Sequence, residues 1–221
     1  MRNAGAASVL RSHPIFQGLS ADLLANIVAL CENREYRRGD IVFTEGQPGT
    51  RLYGVIAGRL IITTASAEGQ ELNLNVAEAG EILGEIAFLD GGPRTASGRA
   101  AVPTTCFSIE RAPFFKLLEH SPDLSVHLLQ LVCKRVRWMT NLVADSAFRS
   151  VPQRMATQLA HLARPDDAGH GAEVKISQAE LAQFLGITRQ VVNQHLQTWQ
   201  RAGLVELRRG MIRIRDMQAL L

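Results

Sequence analysis

Across residues 39–109 the apolar positions come in short runs, GDIVF, RLYGVI and GRLIITT, with EGQPGT and AEGQ between them. Runs this short, bounded by glycine and proline, predict strands separated by turns. ELNLNV alternates strictly, which puts Leu72, Leu74 and Val76 on one face and Glu71, Asn73 and Asn75 on the other. Short strands at this spacing predict a small barrel or sandwich. Ahead of it, residues 20–31 carry Leu23, Leu24, Ile27, Val28 and Leu30 at helical spacing, a helix covering one barrel end.

From residue 122 to about 148 the pattern changes. Leu129, Val132, Val136, Met139 and Val143 recur at alternating steps of three and four, the seam of a long helix expected to pair with a second copy, the alternative being that it packs against the chain's own barrel. Ser150, Val151 and Pro152 interrupt it, because proline removes an amide donor and disfavours helix in the residue before it. A hinge and domain boundary is expected there, then a helix over residues 153–163 and a polar loop, RPDDAGHGAEV.

The run ISQAELAQFLGITRQVVNQHLQTWQRAGLV carries the clearest local signal. Ser177 and Glu180 form a capping box for a helix whose Leu181, Ala182 and Leu185 face inward. Gly186 turns the chain, and Thr188 caps a second helix that buries Val192, Leu196 and Trp199. Helix, glycine turn, helix results, with Arg189, Gln190, Asn193 and Gln194 on the exposed side as donors and acceptors suited to base edges. VELRRGMIRIR follows as a hairpin. Val205, Leu207, Ile212 and Ile214 point inward, Arg209 and Gly210 turn, and Arg208, Arg209, Arg213 and Arg215 are left outside for phosphates.

Composition sharpens this division. The chain has 221 residues and is 46% hydrophobic, enough for one large or two modest domains of a soluble globular protein. No run approaches the ~20 apolar residues of a membrane span, and the N-terminus lacks a secretory core, so the cytoplasm is expected. The net charge of +3 is C-terminal: 15 Lys/Arg balance 15 Asp/Glu through Arg149, against 9 and 6 from Ser150 onward. Cys31, Cys106 and Cys133 are far apart and form no CxxC, which predicts buried structural thiols rather than disulfides or zinc ligands.

One stretch, GEIAFLDGGPRTA at residues 84–96, fits neither a long helix nor a surface turn. A short helix start offers free amides to an anion, and Arg94 adds a fixed charge with bidentate geometry. Glu85 suits a ribose 2′-hydroxyl; phosphate and sugar hydroxyl together describe a nucleotide. The competing possibility is an ion pair between Glu85 and Arg94 that only closes a loop. No second carboxylate, histidine or metal-ligand cluster accompanies Glu85 in sequence, which argues against catalysis and against a metal site.

RRGDIVFTEGQPG, GEIAFLDGGPRTA, the helix over residues 122–148 and ITRQVVNQHL together resemble, in order and spacing, the CRP/FNR family of cyclic-nucleotide-responsive transcription regulators. The resemblance implies an α+β fold: a cyclic-nucleotide-binding β-barrel of jelly-roll type at residues 1–121, a dimerisation helix at 122–149 and a winged helix-turn-helix at 150–221. It implies ligand contacts from Leu74, Leu83, Gly84, Glu85, Ile86, Ala87, Arg94, Thr95, Ala96, Thr140 and Asn141. DNA contacts would come from Lys175, Ser177, Gln178, Thr188, Arg189, Gln190, Asn193, Gln194, Arg208 and Arg209. The implied partners are a second copy, double-stranded DNA with two-fold symmetry, RNA polymerase and cyclic AMP, with no membrane involved.

The sequence departs from the family at two places. The dimer-helix Thr-Ser pair that holds adenine in cyclic-AMP-activated members falls at Met139 and Thr140; methionine cannot bond the base. With Thr95 compatible with guanine, cyclic GMP stays a candidate, as does ligand-independent regulation. The family's reading Arg-Glu pair and later Arg fall at Arg189, Gln190 and Gln194, implying an altered half-site because glutamine can also pair with adenine. Iron-sulfur or haem sensing is not implied: residues 1–30 hold no cysteine and the six histidines are scattered.

Overall fold

The computed structural model describes residues 3–67, 69, 71–165, 172–208 and 210–220. The chain forms two compact units, Met1–Thr64 with Leu74–Trp138, and Ala65–Asn73 with Met139–Leu221.

The first unit is built on two four-stranded sheets. One runs in the order β1 (Glu32–Tyr36), β8 (Thr104–Glu110), β3 (Arg51–Ala57), β6 (Ile82–Leu83); the other β2 (Ile41–Phe43), β7 (Ser97–Ala100), β4 (Arg59–Ala65), β5 (Glu71–Glu78). Phe43, Tyr53, Val55, Leu60, Ala100 and Cys106, drawn from both sheets, form one core. The opposite side of the first sheet contributes Leu52, Phe107 and Ile109 to a second core. Helices α1 (Ala4–Ser12), α2 (Ala21–Ala29), α4 (Arg111–Leu118) and α5 (Pro122–Phe148) complete it with Leu10, Ile27, Phe114, Leu124 and Leu128. With cover on both faces, β3 and β8 are buried along most of their length rather than at alternate positions.

The expected helix is α2, whose N-cap Ser20 hydroxyl accepts from the Leu23 amide at 3.2 Å. Two elements had no readable pattern. The apolar content of α1, AGAASVLRS, is largely alanine, and β1, ENREY, is a polar edge strand exposed along most of its length. The strict alternation of β5 is not reproduced in its burial. Asn73, assigned to the polar face, is buried, whereas Leu72, Leu74 and Val76 are half-buried. The Asn73 amide donates to Gln183 Oε1 at 3.3 Å within the second unit, which offsets part of the cost of burying it.

The cysteine expectation needs one correction. Cys31 and Cys106 are buried, and burial pushes both thiols up to about 12, but Cys133 is exposed. It lies two positions, about 200° around the helix, from the inward-facing Leu131. On α5 the inward stripe is Leu124, Leu128 and Leu131. The seam positions Leu129, Val136, Met139 and Val143 are 65%, 57%, 52% and 67% exposed.

In the second unit, α6 (Val151–Leu162) begins two residues before the expected start. Ser150 caps it, donating its amide to Gln153 Oε1 at 2.9 Å, and Pro152 is tolerated because first-turn amides have no helical acceptor. The expected polar loop is partly strand: β9 (Arg164–Pro165) pairs antiparallel with β10 (Ala172–Val174), and residues 166–171 lie outside those described. These join β11 (Val205–Arg208) and β12 (Met211–Ile214) in the order β11, β12, β10, β9. The sheet packs with α7 (Gln178–Leu185), α8 (Arg189–Arg201) and α9 (Met217–Leu220) around Met155, Leu181, Val192, Leu196, Ile212 and Leu220.

Gly54 in β3 faces the Phe107 ring so closely that an added Cβ would lie 2.2 Å from its carbons. Gly54→Ala is expected to destabilise by about 1 to 3 kcal/mol through overpacking, and in combination with Phe107→Leu to cost less than the two changes summed. Urea unfolding of the three variants reads this directly; full additivity would show that the contact is not the cause.

Candidate functional site

The stretch at residues 84–96 joins the end of β6 to the start of β7 through α3 (Glu85–Asp90). Gly84, its N-cap, holds φ 77°, a left-handed conformation that glycine adopts without strain. The same residue leaves room for Arg94, whose Nη1 would lie 2.3 Å from a Cβ built on Gly84. Arg94 donates from Nη1 to the Gly84 carbonyl at 2.8 Å and from Nη2 to the Arg51 carbonyl. Its guanidinium also lies over the rings of Phe43 and Tyr53, 5.0 and 5.5 Å from their centroids. Main-chain bonds fix its position: the Arg94 amide donates to Gln47 O at 2.8 Å, and the Gly46 amide to Arg94 O at 2.9 Å.

Arg94 is 5% exposed, and burial pushes its pKa down. Among the ion pairs of the described residues none includes Arg94. A buried cation held by two carbonyls and two aromatic faces, without a carboxylate, is suited to receive an anion.

The loop-closing ion pair between Glu85 and Arg94 is not formed. Glu85, 4% exposed, accepts instead from Arg135 Nε of α5 at 2.5 Å. Arg135 Nη2 also donates to the Ile82 carbonyl at 3.0 Å. Sequence reasoning missed Arg135, although the inward stripe Leu124, Leu128, Leu131 continues to it at the same spacing. An arginine extending a buried apolar stripe requires an acceptor, and that was the readable signal. Phe43 and Tyr53 were missed as well, because nothing local links β2 and β3 to Arg94.

Leu83, Ala87 and Ala96 are buried beside these groups, Leu74 and Ile86 are half-buried, and Thr95 is exposed. The first-turn amides of α3 at Ile86 and Ala87 have no acceptor within the helix. Thr140 and Asn141 belong to the second unit and are exposed.

In the second unit the capping box forms as expected: the Ser177 hydroxyl accepts from the Glu180 amide at 3.1 Å and the Glu180 carboxylate from the Ser177 amide at 2.8 Å. Gly186 at φ 62° ends α7, and Thr188 caps α8 by accepting from the Val191 amide. Lys175, Arg189, Gln190 and Gln194 are exposed. Asn193 is half-buried rather than exposed, its Oδ1 accepting from Gln178 Nε2 at 3.2 Å, so this pair braces α7 against α8.

The hairpin also departs from the expected free arginines. Glu206 accepts from Arg208 Nε at 2.9 Å and lies 3.6 Å from Arg215 Nη2. The hydrogen bond from Arg208 leads in holding the Glu206 carboxyl below its usual range. Arg213 is half-buried, and Arg209 lies outside the described residues.

Residues 33–121 match the cyclic nucleotide-binding domain family and residues 153–221 the Crp-like helix-turn-helix domain family. The chain is 31% identical over 216 residues to a CRP-like cAMP-activated global transcriptional regulator of Mycobacterium tuberculosis, spanning 96% of each chain. It is 28% identical to the cyclic AMP receptor protein of Thermus thermophilus, again over 96% of each. Among solved structures, the c-di-GMP-responsive regulator CLP of Xanthomonas campestris shares the fold, with TM-score 0.78, 23% identity, and coverage of 89% of this chain and 100% of that one.

Removing Arg135 strands a buried carboxylate. Arg135→Met is expected to lower stability by about 2 to 4 kcal/mol, and Glu85→Gln added to it to recover part of the loss. A double-mutant cycle in urea tests the pair; zero coupling energy would show that it contributes nothing.

Proposed function

Because this chain belongs to the CRP/FNR family of transcription regulators, we propose that it is a homodimeric DNA-binding regulator whose affinity for its operator is set by cyclic AMP. It is a DNA-binding transcriptional regulator rather than an enzyme. The observation that carries the ligand assignment is Arg94, a buried guanidinium without an anionic partner among the described residues. A cyclic phosphate supplies that partner, with the free amides of Ile86 and Ala87 and the Thr95 hydroxyl completing the cradle. Glu85, oriented by Arg135, accepts the ribose 2′-hydroxyl. Leu74, Leu83 and Ala96 supply apolar walls.

Adenine is favoured over guanine by the cyclic-AMP-activated relatives. With methionine at 139, the base contacts fall to Thr140 or Asn141. Dimerisation uses the exposed apolar face of α5, where Leu129, Val136, Met139 and Val143 would otherwise remain in water. Two copies present two α8 helices to successive major grooves about 34 Å apart, with Arg189, Gln190 and Gln194 at base edges and Lys175, Ser177, Thr188 and Arg208 toward phosphates. Gln178 and Asn193, also proposed DNA contacts, bond each other between α7 and α8. RNA polymerase is the proposed downstream partner. No helix among the described residues is long and apolar enough to cross a membrane, in keeping with a proposed cytoplasmic site of action.

Nucleotide and DNA are linked under this reading, so each tightens the other by the same factor. Calorimetry should show cyclic AMP binding more tightly than cyclic GMP, and more tightly still with operator present. Arg94→Leu should weaken cyclic AMP at least about a hundredfold; unchanged affinity would refute the phosphate role. On the DNA side, Arg189→Ala should relax preference at one base pair by about 1 to 3 kcal/mol, whereas Lys175→Ala should weaken all sequences alike. Anisotropy titrations across single-base operator variants separate the two effects.

A further inference from the structure

A second concave site lies in the first unit, formed by the segment after α1, the turn before β6 and α5. Its volume is about 180 Å³. Ile15, Ile82 and Leu131, all buried, make an apolar floor, and His13, Glu81, Lys134 and Arg135 stand around it. None of the ion pairs of the described residues joins Glu81 to Lys134. Glu81 accepts a main-chain hydrogen bond from Glu78 and feels the charge of Arg135, so among the described residues Lys134 is the cation that faces the hollow without a carboxylate of its own. His13 Nδ1 accepts from the Ile15 amide at 3.3 Å, which in the neutral ring leaves Nε2 as the donor. Burial, then Lys134 and Arg135, push the His13 pKa down, and burial pushes the Glu81 pKa up.

We propose that this hollow binds a small organic acid that also carries a hydroxyl or ammonium group. Lys134 and His13 Nε2 hold its carboxylate or phosphate, and Glu81 accepts from the hydroxyl or ammonium. The apolar floor takes the carbon skeleton, the usual division of labour in a small-molecule site. Lys134 lies two positions from both Val132 and Val136, about 200° around α5 and so away from that seam. Arg135 borders this hollow and is also bonded to Glu85, so one residue takes part in both sites.

The test follows the imidazole resonances of His13, assigned by comparison with His13→Gln, in the full chain by NMR. L-malate and 2-phosphoglycerate are the probes for carboxylate and phosphate, succinate is malate without its hydroxyl, and glycerol is the uncharged control. Saturable movement with malate or 2-phosphoglycerate and none with glycerol is expected. Lys134→Glu should weaken binding at least about tenfold, and Glu81→Gln should erase the preference for malate over succinate. No saturable movement with either probe overturns the proposal, as does an unchanged response in Lys134→Glu.

Discussion

A buried positive charge governs the first unit. Placing a guanidinium out of water is costly unless its hydrogen-bonding and electrostatic needs are met, and Arg94 meets them by gathering groups from the whole sandwich. Phe43 comes from one sheet, Tyr53 and the Arg51 carbonyl from the other, and Gly84 supplies both a carbonyl and the missing side chain that lets the arginine enter. Closing the sandwich and shaping the anion site are therefore one event. The two rings stack on each other at 5.5 Å, which joins the sheets at the point where the cation lies.

Around that cation the charges do not balance. Arg94 has no carboxylate of its own among the described residues, since Glu85 is engaged by Arg135. The proposed monoanionic cyclic phosphate would supply that counter-charge while leaving Glu85 for a hydroxyl. Arg135 belongs to α5, the helix whose outer face carries the exposed apolar seam. The carboxylate proposed to sense the sugar is thus bonded to the element proposed to join two copies. The proposed coupling between ligand and assembly would have a short covalent and hydrogen-bonded route.

What could be read from the sequence was local and periodic. Ser177 with Glu180, Gly186 and Thr188 announced two helices and their turn, because caps act within four residues of chain. The seam on α5 followed from spacing alone. Long-range partners were the part that could not be read: Arg94 meets Phe43 and Tyr53 from strands some forty or fifty residues earlier, and Asn73 is buried against a polar partner 110 residues away. Cys133 was misjudged for a related reason. Apolar neighbours in sequence indicate burial only when they share a helix face, and a two-residue step places them on opposite sides.

Glu206 gives the hairpin a less obvious property. Arg208 and Arg215 already have a carboxylate counter-charge, which must be surrendered or shared when either side chain reaches toward a polyanion. Each arginine so engaged displaces fewer condensed cations from the duplex than a free one would. The salt sensitivity of operator binding should therefore be shallower than the number of arginines on the hairpin implies, and more of the affinity should rest on contacts made by α8.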